Sequence, residues 1–127
     1  YNDTAATNPG SAISGINSFS EPIVLICGGS DKNLDMAGFA KAIAEKAKNV
    51  VFLKGAATDK IISSLKVQEA GHNFVITNSM DEAVVEARKI ASAGDVILLS
   101  PGSASFGLFL NEFDRGDKFR AAVLSLE

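Results

Sequence analysis

The chain has 127 residues, 46% of them hydrophobic and 21% charged, enough apolar side chain for one compact core and too little charge for a disordered tail. Twelve Lys and Arg against fifteen Asp and Glu give a net charge of −3 with the signs interspersed, which leaves no basic stripe for a phosphate backbone and excludes nucleic acid as the expected partner. The longest apolar run, Ile23-Val24-Leu25-Ile26-Cys27, falls far short of the roughly 18 residues of a membrane helix, and one Cys with one His makes neither a disulfide framework nor a zinc site, a usage that fits a reducing cytoplasm.

The chain opens on Tyr1-Asn2-Asp3-Thr4, with no initiator Met and no signal-peptide pattern. It is therefore expected to be cut from a longer polypeptide, with residues 1–20 an interdomain segment and first helix and residues 21–127 the main domain. Pro22 to Cys27 is continuously apolar and ends in Gly28-Gly29, which predicts a strand covered on both faces and then a tight turn. Met36, Phe39, Ala40, Ile43, Ala44 and Ala47 recur at helical spacing, with Asp35 as the expected N-cap. Asn49 to Leu53 is a second strand ending at Lys54-Gly55, and Ile61, Ile62 and Leu65 mark a helix from near Thr58. Asn73 to Thr77 follows Gly71 as a third strand. Ser79 and Glu82 have the spacing of a capping box. Met80, Ala83, Val84, Ala87, Ile90 and Ala91 then form a stripe that Gly94 is expected to close as a left-handed C′ residue. Asp95 to Ser100 is a fourth strand, with helical segments to about Leu126.

Strands and helices alternating across short loops predict an α/β fold, a Rossmann-like three-layer domain with a mostly parallel sheet flanked by helices. In such sheets ligands bind beyond the carboxyl ends of the strands, so the exit turns are the candidate sites. Gly28-Gly29-Ser30-Asp31-Lys32 has neither the G-x-G-x-x-G nor the G-x-x-x-x-G-K-[ST] spacing. It offers backbone amides and the Lys32 ammonium ahead of a helix, which suits a carboxylate or phosphate oxygen, although spacing alone favours a plain Gly-rich turn with a solvated Lys. Ser100, Ser103 and Ser105 surround Pro101-Gly102, either as a neutral anion cradle or as ordinary N-capping by Ser103 or Ser105. No G-x-S-x-G elbow is present, and His72, the single imidazole, precedes the third strand at the opposite end of the sheet, so serine-nucleophile chemistry is disfavoured. Cys27 reads as a packing residue, since no basic partner is placed to lower its pKa. Asn111 to Asp117 reads as a solvated helix end with Arg115 in an ion pair.

Four strings follow one another along almost the whole chain: Asn2-Asp3-Thr4-Ala5-Ala6-Thr7-Asn8-Pro9, Gly28 to Lys32, Leu98 to Phe106, and Asn111 to Phe119. They resemble, in that order, the N-D-S-K-A-T-N, G-G-x-D-K, L-L-S-P-A-x-A-S-[FW] and N-F-x-x-R-G-x-x-F segments of the C-terminal domain of the Mur ligases, in the branch that adds D-glutamate during peptidoglycan synthesis. The resemblance implies a cytoplasmic three-domain enzyme that phosphorylates the carboxylate of UDP-MurNAc-L-alanine with ATP and lets the amine of D-glutamate attack the acyl phosphate. It also implies that ATP and Mg are bound mainly by the central domain, that the N-terminal and central domains are the partners of this one, and that residues 1–127 alone are inactive. Carried over position by position, Lys32, Ser105, Phe106 and Thr7 match D-glutamate-binding residues and Asp3 a residue holding the ATP ribose; no catalytic or metal-binding residue is implied within this chain. Two positions depart from the family pattern: Ala5 replaces a Lys, and Glu112 stands where an aromatic is expected, with Phe113 one residue later. Another Mur ligase or a folyl-polyglutamate type ligase shares this architecture, although the lack of a D-N-R string argues against the diaminopimelate-adding branch. A stand-alone Rossmann-like binding module is the remaining alternative.

Overall fold

A computed structural model describes residues 1–30, 35–67, 74–103, 108–109 and 111–125. Lys32, His72, Ser105 and Phe106 lie outside the described residues. The elements are α1 (Pro9–Asn17), β1 (Ile23–Cys27), α2 (Ala37–Lys46), β2 (Ala47–Leu53), α3 (Ala56–Val67), β3 (Phe74–Thr77), α4 (Met80–Ile90), β4 (Val96–Leu99) and α5 (Glu112–Ser125). The strands form one parallel sheet in the order β3-β2-β1-β4.

The continuous apolar run of β1 is explained by burial on both faces. Ile23, Leu25 and Cys27 pack with Ala12 and Ile16 of α1, Phe39 and Ile43 of α2, and Ile61 of α3. Val24 and Ile26 alternate to the other face, against Met80, Ala83 and Val84 of α4 and Phe119 of α5. This period of two in a buried strand gives the expected three layers.

Several boundaries differ from expectation, each for a local reason. Ala47 begins β2 rather than ending the helix: its backbone is extended, with φ −83 and ψ 130, and it pairs with Ile23 of β1. Asp35 Oδ1 accepts from the Ala37 amide at 2.9 Å, but the cap position belongs to Met36. α3 starts at Ala56, two residues before Thr58, because the Asp59 amide donates to Gly55 O at 3.3 Å, which makes Gly55 the first carbonyl of the helix ladder. The capping box closes one residue outward. Ser79 Oγ accepts from the Glu82 amide at 3.2 Å, while Glu82 Oε2 accepts from Asn78 at 3.4 Å. α4 ends with an extended Ala91, and Gly94, φ +92, serves the turn into β4, where the Asp95 amide donates to Ser92 O at 3.0 Å.

The N-terminal residues add an edge that no local pattern announces. Asn2 bridges Leu99 in parallel; the Leu99 amide donates to Tyr1 O at 2.9 Å and the Asp3 amide to Leu99 O at 2.7 Å. No described helix is long and apolar enough to cross a membrane.

At the opposite end of the sheet, Lys48 Nζ lies 2.6 Å from Asp95 Oδ2, and the Ser92 amide donates to the same oxygen at 2.8 Å. The Lys48 hydrogen bond, then that of Ser92, holds the Asp95 carboxyl below its ordinary value. A carboxyl depressed in the folded state stabilises above its unfolded pKa, and the contribution is lost as pH falls through the folded one. Wild type is therefore expected to exceed Asp95→Asn in stability near neutrality, with the gap closing as pH drops below about 4. Urea midpoints measured across pH check this; a gap independent of pH removes the ion pair as its cause.

Candidate functional site

Because the sheet is parallel, the four strand exits meet along one rim. The exits of β1 and β4 are stitched together: the Gly28 amide donates to Pro101 O at 3.0 Å and the Ser100 amide to Ile26 O at 3.1 Å. Gly28 and Gly29 both have positive φ, 92 and 141, the tight turn that the Gly-Gly pair predicts. Gly29 O accepts from Ala57 at 3.0 Å at the start of α3, and the Gly29 amide donates to Thr58 Oγ1 at 3.2 Å. The Lys54 amide donates to Thr77 O at 2.9 Å, joining the exits of β2 and β3.

The N-terminal segment lies against this rim at the β4 exit. Ser100 Oγ donates to Asp3 Oδ2 at 2.7 Å, and the Gly102 amide donates to Ala6 O at 2.8 Å. Asp3 and Ala6 are thus bonded to the loop at Ser100–Gly102, and half-buried Thr7 follows Ala6 in the chain. A cleft of about 400 Å³ runs beside Asp3, with Asn2, Ser11, Ser14, Gly15 and Ser18 in its wall. A larger cleft of about 790 Å³ sits toward the start of β4 and is mainly apolar, with Val96, Ile97, Phe119 and Val123 among its lining residues. Of the candidate residues, Asp3 is bonded at the β4 exit and Thr7 is next in the chain to Ala6, which is bonded there too, whereas Lys32, Ser105 and Phe106 fall outside the described residues.

Two of the three hydroxyls of the β4 exit donate within the protein, and the third, Ser105, lies outside the described residues. Ser100 and Ser103 are buried and already bonded: Ser100 to Asp3, and Ser103 Oγ to Pro101 O at 2.9 Å. Each hydroxyl thus commits its one proton within the chain, and Ser103 does not cap a described helix. The Ser30 hydroxyl, at the β1 exit, is buried with no hydrogen-bond partner among the described residues. Cys27 is fully buried, and desolvation pushes its thiol pKa up, as suits a packing residue.

Arg115 also departs from expectation. It is 0% exposed on the first turns of α5, not a solvated ion-pairing residue. Its Nε donates to Thr4 Oγ1 at 3.1 Å, one Nη to Ser103 O at 3.0 Å and the other to Thr4 O at 2.8 Å. Burial lowers its pKa to about 10, with Glu112 acting in the opposite sense, so it stays charged at neutral pH. Glu112 is half-buried, while Phe113 is 70% exposed and Ala5 is exposed. Among the described residues no three His, Cys, Asp or Glu side chains are grouped to hold a metal. An Asp3 carboxylate suits a sugar hydroxyl, since ionised oxygens accept more than the one bond Ser100 supplies.

Comparison with known proteins bears on these residues. Residues 1–102 match the family described as Mur ligase, glutamate ligase domain. The UDP-N-acetylmuramoylalanine--D-glutamate ligase of Roseiflexus sp. (strain RS-1) is 46% identical over 125 residues, 98% of this chain and 27% of that protein. The protein of the same name from Pelotomaculum thermopropionicum is 42% identical over 126 residues, 99% of this chain and 27% of its own length. The chain thus spans about a quarter of these relatives. Among solved structures, a domain from Haemophilus ducreyi assigned to a UDP-N-acetylmuramate:L-alanyl-gamma-D-glutamyl-medo-diaminopimelate ligase superposes with a TM-score of 0.56 at 13% identity, covering 91% of this chain and 85% of that one. E. coli FolC in complex with ADP gives a TM-score of 0.54 at 21% identity, covering 77% of this chain and 24% of FolC. At these identities the structural likenesses speak for the fold alone.

Proposed function

The chain belongs to the Mur ligase, glutamate ligase domain family, and from that premise we propose that it is the acceptor-amino-acid domain of a cytoplasmic ligase that joins D-glutamate to UDP-MurNAc-L-alanine. The observation carrying this reading is 46% identity across 98% of the chain with a relative of that name. ATP would supply the phosphoryl group that turns the acceptor carboxylate into an acyl phosphate, and its phosphates and Mg would be held by another part of the enzyme.

Within this chain the work is positioning. A dicarboxylate needs a cation and fixed donors, which Lys32, Ser105 and Thr7 would provide, with Phe106 flanking the ligand. Holding both carboxylates orients the amine toward the neighbouring domain's acyl phosphate, and such orientation converts a bimolecular attack into an effectively intramolecular one. Asp3 would accept from the ribose hydroxyls of ATP when the domains close. The anchoring of Asp3 and Ala6 to the β4 exit supports placing Thr7 and Asp3 on the same rim as the Lys32 and Ser105 turns. Ala5 leaves one family cation absent, so either Lys32 or a basic residue of another domain carries more of the charge, or D-glutamate is held less tightly.

The test is steady-state phosphate release by the full-length gene product. Release is expected only when UDP-MurNAc-L-alanine and D-glutamate are both present. Lys32→Ala and Ser105→Ala are each expected to raise the KM for D-glutamate about tenfold or more, the factor for losing a charge-assisted hydrogen bond. Release driven by a different amino acid, with D-glutamate inert, overturns the reading.

A further inference from the structure

Arg115 is a buried cation that the proposed chemistry does not use. Among the described residues it forms no ion pair with a carboxylate; its donors go to Thr4 Oγ1, Thr4 O and Ser103 O. A buried charge whose hydrogen bonds among the described residues go to neutral acceptors, with only the more distant Glu112 charge opposing its burial, is a poor device for stability, since an apolar side chain of similar volume would fill the space without the desolvation penalty. What the guanidinium does, and an apolar group could not, is hold two segments about a hundred residues apart in one planar fork.

The surroundings are built for the same contact. Thr4 Oγ1 donates onward to Glu112 O at 2.6 Å, and Asn2 Nδ2 donates to Gly116 O at 3.1 Å. A Cβ on Gly116 would lie 2.6 Å from Thr4 Cγ2, so a glycine next to Arg115 lets the N-terminal segment lie directly on α5. Thr4 sits between Asp3 and Thr7, and Ser103 sits two residues before Ser105.

We propose that Arg115 is a positioning residue whose guanidinium fixes the N-terminal segment against the β4 exit turn, presetting the two halves of the acceptor-amino-acid site before the ligand arrives. This rests on the function proposed above for that site. One ammonium cannot reproduce the fork, so Arg115→Lys keeps the charge and loses the bridge, while Arg115→Met keeps the volume and loses both.

The experiment uses the full-length enzyme and two readouts. Hydrogen exchange, read by mass spectrometry, is expected to rise in peptides covering residues 2–7 and 100–103 of Arg115→Lys, with those covering β1 and β2 unchanged. The KM for D-glutamate is expected to rise about tenfold, with the KM for UDP-MurNAc-L-alanine unchanged, and Arg115→Met is expected to behave likewise without the charge. Exchange that stays at the wild-type level in both variants overturns the positioning role. Raised exchange with an unaltered D-glutamate KM overturns its coupling to the site. If the wild-type enzyme rejects D-glutamate, the function reading fails separately, and the same KM comparison is made with the amino acid it accepts.

Discussion

Gly55→Ala is expected to destabilise the fold by about 1–3 kcal/mol, the range for forcing extra volume into a packed site. The usual effect of this substitution is the reverse, because Ala restricts the unfolded chain. At Gly55 the added methyl would collide with the carbonyl carbon and oxygen of Gly29 and lie 3.0 Å from its Cα. All three atoms are backbone, so no rotamer change relieves the contact. The exits of β1 and β2 must separate instead, stretching the bonds from Ala57 N and to Thr58 Oγ1 that hold Gly29. The damage therefore falls on the turn that leads to Lys32. Gly10→Ala is the control, since its methyl meets only Asn8 Oδ1 at 3.5 Å. Urea midpoints with an unchanged m-value check both; a Gly55→Ala midpoint at or above wild type sinks the packing argument.

What the sequence reveals and what it hides divide along the range of the interactions. β1 is legible because its burial on both faces writes a continuous apolar run, and the stripe of α4 is legible because Met80, Ala83, Val84 and Ala87 face one layer. The start of β2 is not, because α2 passes into it without an intervening loop, and Ala47 suits a helix stripe as well as a buried strand. The N-terminal edge leaves no mark either: Tyr1-Asn2-Asp3 has no strand period, and its pairing is dictated by backbone groups of Leu99.

The site divides in the same way. The Gly-Gly turn after β1 follows from composition. The engagement of Ser100 with Asp3 and the burial of Arg115 depend on residues roughly a hundred positions away. Dense charge around Arg115 argues locally for a solvated helix end, and only the N-terminal segment lying on α5 reverses that. The adjacent Gly116 was the available signal, since a glycine inside a helix invites the question of what approaches its backbone. For the exit turns, spacing leaves an anion cradle and simple capping both open, and the proposed D-glutamate ligand rests on the family motifs.

Phe39→Ala is expected to lower stability by about 3–5 kcal/mol, as for other fully buried aromatic rings. Phe39 is 0% exposed on α2, but its position matters beyond its area. Gly102 turns at φ +65 directly over the ring, where a Cβ would lie 2.5 Å from Phe39 Cε2. The ring is thus the floor of the β4 exit turn, and the Gly102 amide above it carries the hydrogen bond to Ala6 O at 2.8 Å. Removing the floor should loosen that bond and the segment bearing Asp3 and Thr7. Leu25→Ala, at the centre of the sheet, is expected to cost about 2–5 kcal/mol while leaving the turn in place. Urea denaturation gives the two losses, and amide chemical shifts of Ala6 and Gly102 separate them, moving in Phe39→Ala and holding in Leu25→Ala. Equal shifts in both variants would mean that the turn responds to stability in general and not to the ring beneath it.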